Sequence, residues 1–471
     1  MTATIQPTTG LPGLTAAVER YCAQRLFQAG PEVLIVGNPY RRTIGLEDLA
    51  DRDFARPVTE AGFLEQRHLV VSRILCNAYE SSMILLPEGG LGPVKPDFDA
   101  FYGENARRLR DAIWPDLERC SFGFLREAAA APDVRTVEQL RAWFMAEVDA
   151  VGSPADGSGN NPEVTAAPLR GTMLAITQCR HAEEAAALYL FQLGLDALTE
   201  ASAMARNLGG SYGPEQSALF KIFVDEFGYG VHSAKHSTIF RGLLRSIGLH
   251  PDVHAYWNFY LTSSLAGTSY FNHVSENHAG MFRYMGAVTY LEWLFAQGFA
   301  DMGAMLRTVF GDRVDTRYCD EHAHIDVHHG RMTFEHLLLG FARTHGDAVI
   351  PDLVRGVEET KVLMRLGDED FLAQIRWADN LDAHTTPGGA TGGGTPRILR
   401  PGSPFVTRVY DEDTLLSVHD GDVDVYGWAT HRPHRLGRGD ALLVPRGRLH
   451  GLKAASASAT VTAQPAVSPA R

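Results

Sequence analysis

From the N-terminus to about position 380, apolar residues recur every three or four positions, with charges on the opposite side. "TAAVERYCAQRLFQ", "ENARRLRDAIWPDLERCSFGFL", "TVEQLRAWFMAEVDAV" and "HAGMFRYMGAVTYLEWLFAQGFADMGAMLRTVF" all follow this pattern. It dictates helices that bury one stripe each, and no βαβ alternation interrupts them. The fold class expected is therefore mainly α. At 471 residues the chain is long enough for more than one core.

Two breaks in composition divide the chain. The loop "GSPADGSGNNP" separates a first helical layer from a second. Near "HTTPGGATGGGTP" the sequence turns to Gly, Thr and Pro, and beyond it short β-prone runs alternate with Gly and Asp turns, as in "DTLLSVHDGDVDVYG". The expected organisation is an N-terminal helical domain over 1–150, a helical bundle over 163–380, a linker over 383–397, a small β domain over 398–455 and a disordered tail over 456–471.

Charge and composition narrow the partners. The formal charge of −13 argues against nucleic acid, which needs a basic face, and a small molecule is the expected ligand. Five scattered cysteines form no C-x-x-C pair, which fits buried thiols in a reducing cytoplasm. "MTATIQPTTGLPG" has no basic stretch leading into an apolar run, and no apolar run is long enough to span a bilayer, so neither export nor a membrane location is expected.

The densest chemistry is "CDEHAHIDVHHGRM", residues 319–332. As a strand it would align His322, His324, Asp326 and His328; as a helix it puts His322, Asp326 and His329 on one stripe at i, i+4, i+7. The helical reading finds partners. Glu200 in "LGLDALTEASAM", Glu226 in "FKIFVDEFGYG" and Glu292 in "AVTYLEWLFA" sit in apolar surroundings, where a carboxylate must be protonated, paired or bound to metal. His236 follows Glu226 by ten residues, close to three helical turns. Twelve of the nineteen histidines fall between 232 and 345, which favours a shared site. Four carboxylates with two or three imidazoles form a set suited to a pair of irons in a bundle interior. His324 and His328 point off the stripe and are read as outer or surface residues.

Two other motifs fail on context. "GGSYG" at 209–213 matches G-x-S-x-G but follows a helical pattern rather than a strand. "HAHIDVHH" approaches the H-x-H-x-D-H of metallo-hydrolases, but Val327 stands where a histidine is needed.

At "NPYRR", "LLPEGGLG", "VDEFGYGVHSAKHST", "FGDRVDTRY" and "EHAHIDVHHGRM" the chain resembles the haem-oxygenase-like di-iron oxidases. More narrowly it resembles their N-nitrosourea-forming branch, which joins an N-terminal helical domain, a haem-oxygenase-like bundle and a C-terminal cupin. The resemblance implies the same seven iron ligands, Glu200, Glu226, His236, Glu292, His322, Asp326 and His329. It also implies a homodimer, O2 as cosubstrate and oxygen delivery to a guanidine nitrogen of an arginine-like substrate. The chain has no flavin or haem motif, so a reductase or small reductant must supply electrons from outside. Desaturation, C–C cleavage and iron storage are the rival readings of such a site. Glu215 and Asp225 are candidate guanidinium contacts that sequence cannot tell from surface charges.

The C-terminal region departs from the cupin pattern. His450 in "GRGDALLVPRGRLHG" occupies one ligand position, but Arg408, Tyr410 and Thr414 stand where two histidines and a glutamate belong. This domain is expected to hold no metal and to leave the product at the N-hydroxylated stage.

Overall fold

The computed structural model describes residues 12–31, 34–151, 169–429 and 432–466. The loop 152–162, the start of the chain and the last five residues lie outside the described residues. The chain is mainly α, with a smaller antiparallel β part. It forms two compact units.

The first unit combines 1–124 with 384–426 and 433–471. Its main helices are α1 (Pro12–Cys22), α2 (Gln66–Glu80) and α3 (Glu104–Phe122). Every residue of α2 is buried, including Arg67, His68, Arg73 and Glu80. Each of these side chains has at least one hydrogen-bond or ion-pair partner, although Arg67 Nε and Arg73 Nε are left without one. Glu80 pairs with Arg42, Arg67 donates to the Arg56 carbonyl at 2.6 Å, and Arg73 donates to Thr407 Oγ1 at 2.7 Å. The periodicity that marks the other helices does not pick out α2, because its polar residues face protein rather than water.

Among the described residues, the β part of this unit has eight strands: β1 (Thr385–Thr386), β2 (Arg397–Leu399), β3 (Thr414–Asp420), β4 (Val423–Tyr426), β5 (His434–Leu436), β6 (Ala441–Val444), β7 (Gly451–Ala454) and β8 (Ala459–Pro465). They form sheets of order β1-β6-β3-β8-β2 and β5-β4-β7, with all pairings antiparallel. Strand β8 corrects the expectation of a disordered tail. It lies between β3 and β2, and Ala459 and Val461 are buried at every second position. Thr and Val give this small-residue segment enough β preference once two partners flank it. The expected linker is likewise partly ordered: β1 pairs with β6, and Gln464 on β8 donates to Thr391 Oγ1 at 2.6 Å.

The second unit spans 125–383 with 427–432. Its main helices are α4 (Val137–Ala150), α5 (Ala182–Ala197), α6 (Pro214–Glu226), α7 (His236–Ser246), α8 (Thr262–Glu276), α9 (Met281–Phe310), α10 (Arg317–Met332) and α11 (Ile350–Ala378). Helix α4, which sequence reading groups with the N-terminal domain, packs here: Phe144 meets Trp293 of α9 and stacks on Phe334 just past α10. Glycines allow α9 and α11 to cross at backbone contact. A Cβ on Gly286 would lie 2.0 Å from the Leu353 carbonyl oxygen, and one on Gly356 would lie 1.9 Å from that of Arg283. Helix α9 stops at Gly311 (φ 61°), and the six residues to Arg317 return the chain antiparallel as α10. Among the described residues, no helix is long and apolar enough to cross a membrane.

Candidate metal centre

Helix α10 presents His322, Asp326 and His329 on one buried face, as the i, i+4, i+7 spacing requires, while His324 and His328 are exposed. Helix α9 places Glu292 opposite them. The two helices approach closely because residue 330 is glycine: a Cβ there would lie 3.1 Å from the Glu292 carbonyl oxygen. Thr333 then donates back to the His329 carbonyl at 2.9 Å, and a π-helical turn over Thr333–Leu338 follows. Such turns recur beside functional sites.

The other residues come from helix ends. Glu200 sits in the break after α5, followed by Ala201 in the left-handed region (φ 61°). Glu226 is the last residue of α6, and Tyr229 just beyond it is also left-handed (φ 54°). Backbone of this kind in non-glycine residues costs about 1–2 kcal/mol and concentrates at functional sites. His236 opens α7 after two short turns. Glu226 and His236 do meet, Oε2 to Nδ1 at 2.7 Å, but through a chain reversal and not through the helical period that the sequence suggested.

The donor atoms fall into two groups that share Glu226. Glu200, Glu226, His236 and His322 form one, and Glu226, Glu292 and His329 form the other. Glu226 Oε2 faces His236, and Oε1 lies 3.5 Å from His329 Nδ1. Asp326 joins the second group through Oδ1, also 3.5 Å from His329 Nδ1. His322 Nδ1 donates to the Tyr318 carbonyl at 2.8 Å, which leaves Nε2 facing Glu200 Oε1 at 3.1 Å. Tyr318 Oη donates to that same Glu200 oxygen at 2.8 Å. All seven residues predicted from sequence thus converge on one region.

The electrostatics are those of a site built for cations. Burial lifts the carboxyls of Glu200 and Asp326 to about 7 and raises that of Glu226 as well. Burial opposes charge on His236, but hydrogen bonding to Glu226 and the surrounding carboxylates outweigh it and raise it to about 9. Glu200 Oε2, both oxygens of Asp326 and His329 Nδ1 are buried without a hydrogen-bond partner. Orphaned buried polar atoms cost about 1–3 kcal/mol each, and a metal would satisfy them together.

Beside the donors lies a cavity of about 320 Å³, bounded by Leu193, Met204, Phe271, Val288 and Phe295 among others. Glu215 and Asp225 do not line it. Glu215 accepts from Thr344 at 3.3 Å, and Asp225 accepts from His329 Nε2 at 3.1 Å. Asp196, which sequence reading passed over, does line it. The signal available was its i, i+4 spacing from Glu200, two carboxylates stacked in an apolar segment.

An iron-containing redox enzyme family matches residues 187–361, which contain every one of these donors. Across 448 residues the chain is also 36% identical to the nitrosourea synthase of Streptomyces achromogenes subsp. streptozoticus, covering 93% of this chain and 92% of that protein. The chain belongs to the haem-oxygenase-like family of iron-containing redox enzymes. The donor set fits iron, since carboxylates and imidazoles together suit its ferrous and ferric states.

Among the described residues, the β part of the first unit offers no comparable set. His450 is buried, and its Nδ1 donates to the Arg448 carbonyl at 3.0 Å. It exchanges backbone hydrogen bonds with Arg408 and packs against the Tyr410 ring at 4.7 Å. Arg408 in turn pairs with Asp48 at 2.8 Å, while Thr414 donates to the Glu412 carbonyl. Burial, with Arg408 and Arg397 nearby, pushes the His450 imidazole down to about 3. A metal ion there would face guanidinium groups and a single imidazole, so these residues do not fit one.

Proposed function

We propose that this chain is a non-haem di-iron enzyme that uses O2 to hydroxylate a guanidine nitrogen of arginine or an arginine derivative in specialised metabolism. The observation that carries the reading is Glu226, whose two oxygens face two separate groups of donors. A carboxylate so placed is suited to bridging a pair of metals. Glu200, His236 and His322 would hold one iron, and Glu292, Asp326 and His329 the other. A relative named for making a nitrosourea supports nitrogen as the atom oxidised.

Bound iron supplies O2 activation and the redox equivalents of the metal. The chain's own residues do the rest. Tyr318 holds Glu200 through its hydroxyl and His322 through its carbonyl, so one residue orients two donors. Leu193, Met204, Phe271, Val288 and Phe295 of the cavity wall would limit water around the reacting nitrogen. The stoichiometry is that of a monooxygenase: an N–H becomes N–OH, the second oxygen atom leaves as water, and an external reductant supplies two electrons with two protons. The β part is proposed to hold no metal, which leaves the N-hydroxylated compound as the product. The N-terminal helices are proposed to serve a dimer interface.

Mass spectrometry of arginine and N-methylarginine, incubated with anaerobically iron-loaded protein and then exposed to O2 and reductant, tests the reading. Gain of oxygen on nitrogen without nitrosation supports it. Loss of two hydrogens or chain cleavage would instead assign desaturation or C–C scission, and iron uptake without substrate-dependent O2 consumption would assign storage.

A further inference from the structure

The cavity beside the donors carries five carboxylates, those of Asp196, Glu200, Glu226, Glu292 and Asp326, and neither Lys nor Arg among its lining residues. Four of the five are accounted for in the proposed reading, where their charges balance those of two ferrous ions. Asp196 is not. It belongs to neither donor group, no side chain or backbone group among the described residues hydrogen-bonds to its carboxylate, and much of its surface is open. It stands one turn before Glu200 on α5, so its carboxylate is held beside the metal donors by a helix.

We infer that Asp196 is the residue that selects the substrate's charge, accepting hydrogen bonds from a guanidinium or other cationic nitrogen group bound in this cavity. This rests on the di-iron reading and deepens it by naming the recognition residue. A carboxylate not engaged by the proposed irons, on a wall that also carries Leu193, Met204, Phe271 and Phe295, offers a planar cation two acceptor oxygens, the arrangement that suits guanidinium. Gln192, the other polar side chain nearby on α5, is already committed: its amide donates to the carbonyls of Leu188 and Phe259 and accepts from the Leu261 N–H at 2.9 Å. A neutral urea of the same shape would leave Asp196 desolvated without compensation, and so would be rejected.

The test compares arginine with citrulline, its neutral counterpart, by calorimetric titration against anaerobically iron-loaded protein without O2. Iron content is measured on the same samples. Wild type is expected to bind arginine about 10–100-fold more tightly than citrulline. Asp196→Asn is expected to lose that preference while retaining wild-type iron content, and Asp196→Glu is expected to keep part of it. An Asp196→Asn protein that folds, holds iron and still prefers arginine by the wild-type ratio would overturn the inference, as would a wild type that binds both compounds equally. Should Asp196→Asn not fold, the Asp196→Glu comparison decides the same question: an unchanged ratio overturns it, a reduced one supports it. Failure of the di-iron reading is separable, because it would appear in wild type as a lack of two bound irons.

Discussion

His329 donates its Nε2 proton to Asp225 across 3.1 Å, which turns Nδ1 toward Glu226, Glu292 and Asp326, each 3.5 Å away. Asp225 also meets the Tyr229 hydroxyl. A carboxylate that fixes the tautomer and rotation of a ligand imidazole is worth roughly 10–100-fold in metal affinity. Asp225→Asn is therefore expected to weaken iron binding at one of two positions by about that factor, with wild-type helicity. Competition against a ferrous chelator measures it. Unchanged affinity at both positions would remove Asp225 from the site's support.

The α9–α11 crossing makes a stability prediction. Alanine at Gly356 would drive a Cβ to 1.9 Å from the Arg283 carbonyl oxygen. Backbone cannot move aside as a flexible side chain can, so the cost should reach or exceed the ~1–3 kcal/mol typical of overpacking. Urea unfolding of Gly356→Ala should show a lower midpoint, and the neighbouring Gly286→Ala should behave alike.

His68 supplies a pH prediction for the first unit. It is fully buried on α2, donates from Nδ1 to the Phe63 carbonyl at 2.7 Å and accepts at Nε2 from Ser121 at 2.9 Å. Burial holds its pKa down near 4, against 6.5 when unfolded. Between those values the unfolded chain binds the extra proton. Stability is thus intact above about pH 6.5 and falls as pH drops toward 4, by roughly 3 kcal/mol through this residue. Replacing it by His68→Gln should flatten the slope of unfolding free energy in that window. An unchanged slope would show that other groups govern acid sensitivity.

His450→Ala provides the prediction for the β part. With Arg408 and Tyr410 beside that imidazole, the variant should bind the same amount of iron as wild type and form the same product. Metal analysis after anaerobic loading checks it; loss of an additional iron would reveal a second metal site.

Much of the centre is legible in the sequence because its donors break local rules. Glu292 interrupts an apolar helical run, and the 322, 326, 329 stripe matches one face of a helix. The Glu226–His236 pair is legible as a pair, but the reversal that joins it depends on left-handed Tyr229 and on the tight approach of Gly228 to the Ala234–Lys235 backbone, neither of which has a period to read. Asp196 escaped because a helical aspartate followed by another acid four residues later looks like a solvated face; only the cavity sets it beside the donors. Helix α2 and strand β8 share a cause. Their burial comes from partners far along the chain, such as Thr407 against Arg73 and β3 against β8, and local pattern carries no trace of such pairings.

The most direct test of the metal centre is anomalous diffraction at the iron edge from crystals of anaerobically loaded protein. The expected result is two peaks flanking Glu226, about 3.5–4 Å apart, one contacted by Glu200, His236 and His322 and the other by Glu292, Asp326 and His329. A single peak, or iron found away from Glu226, would contradict it.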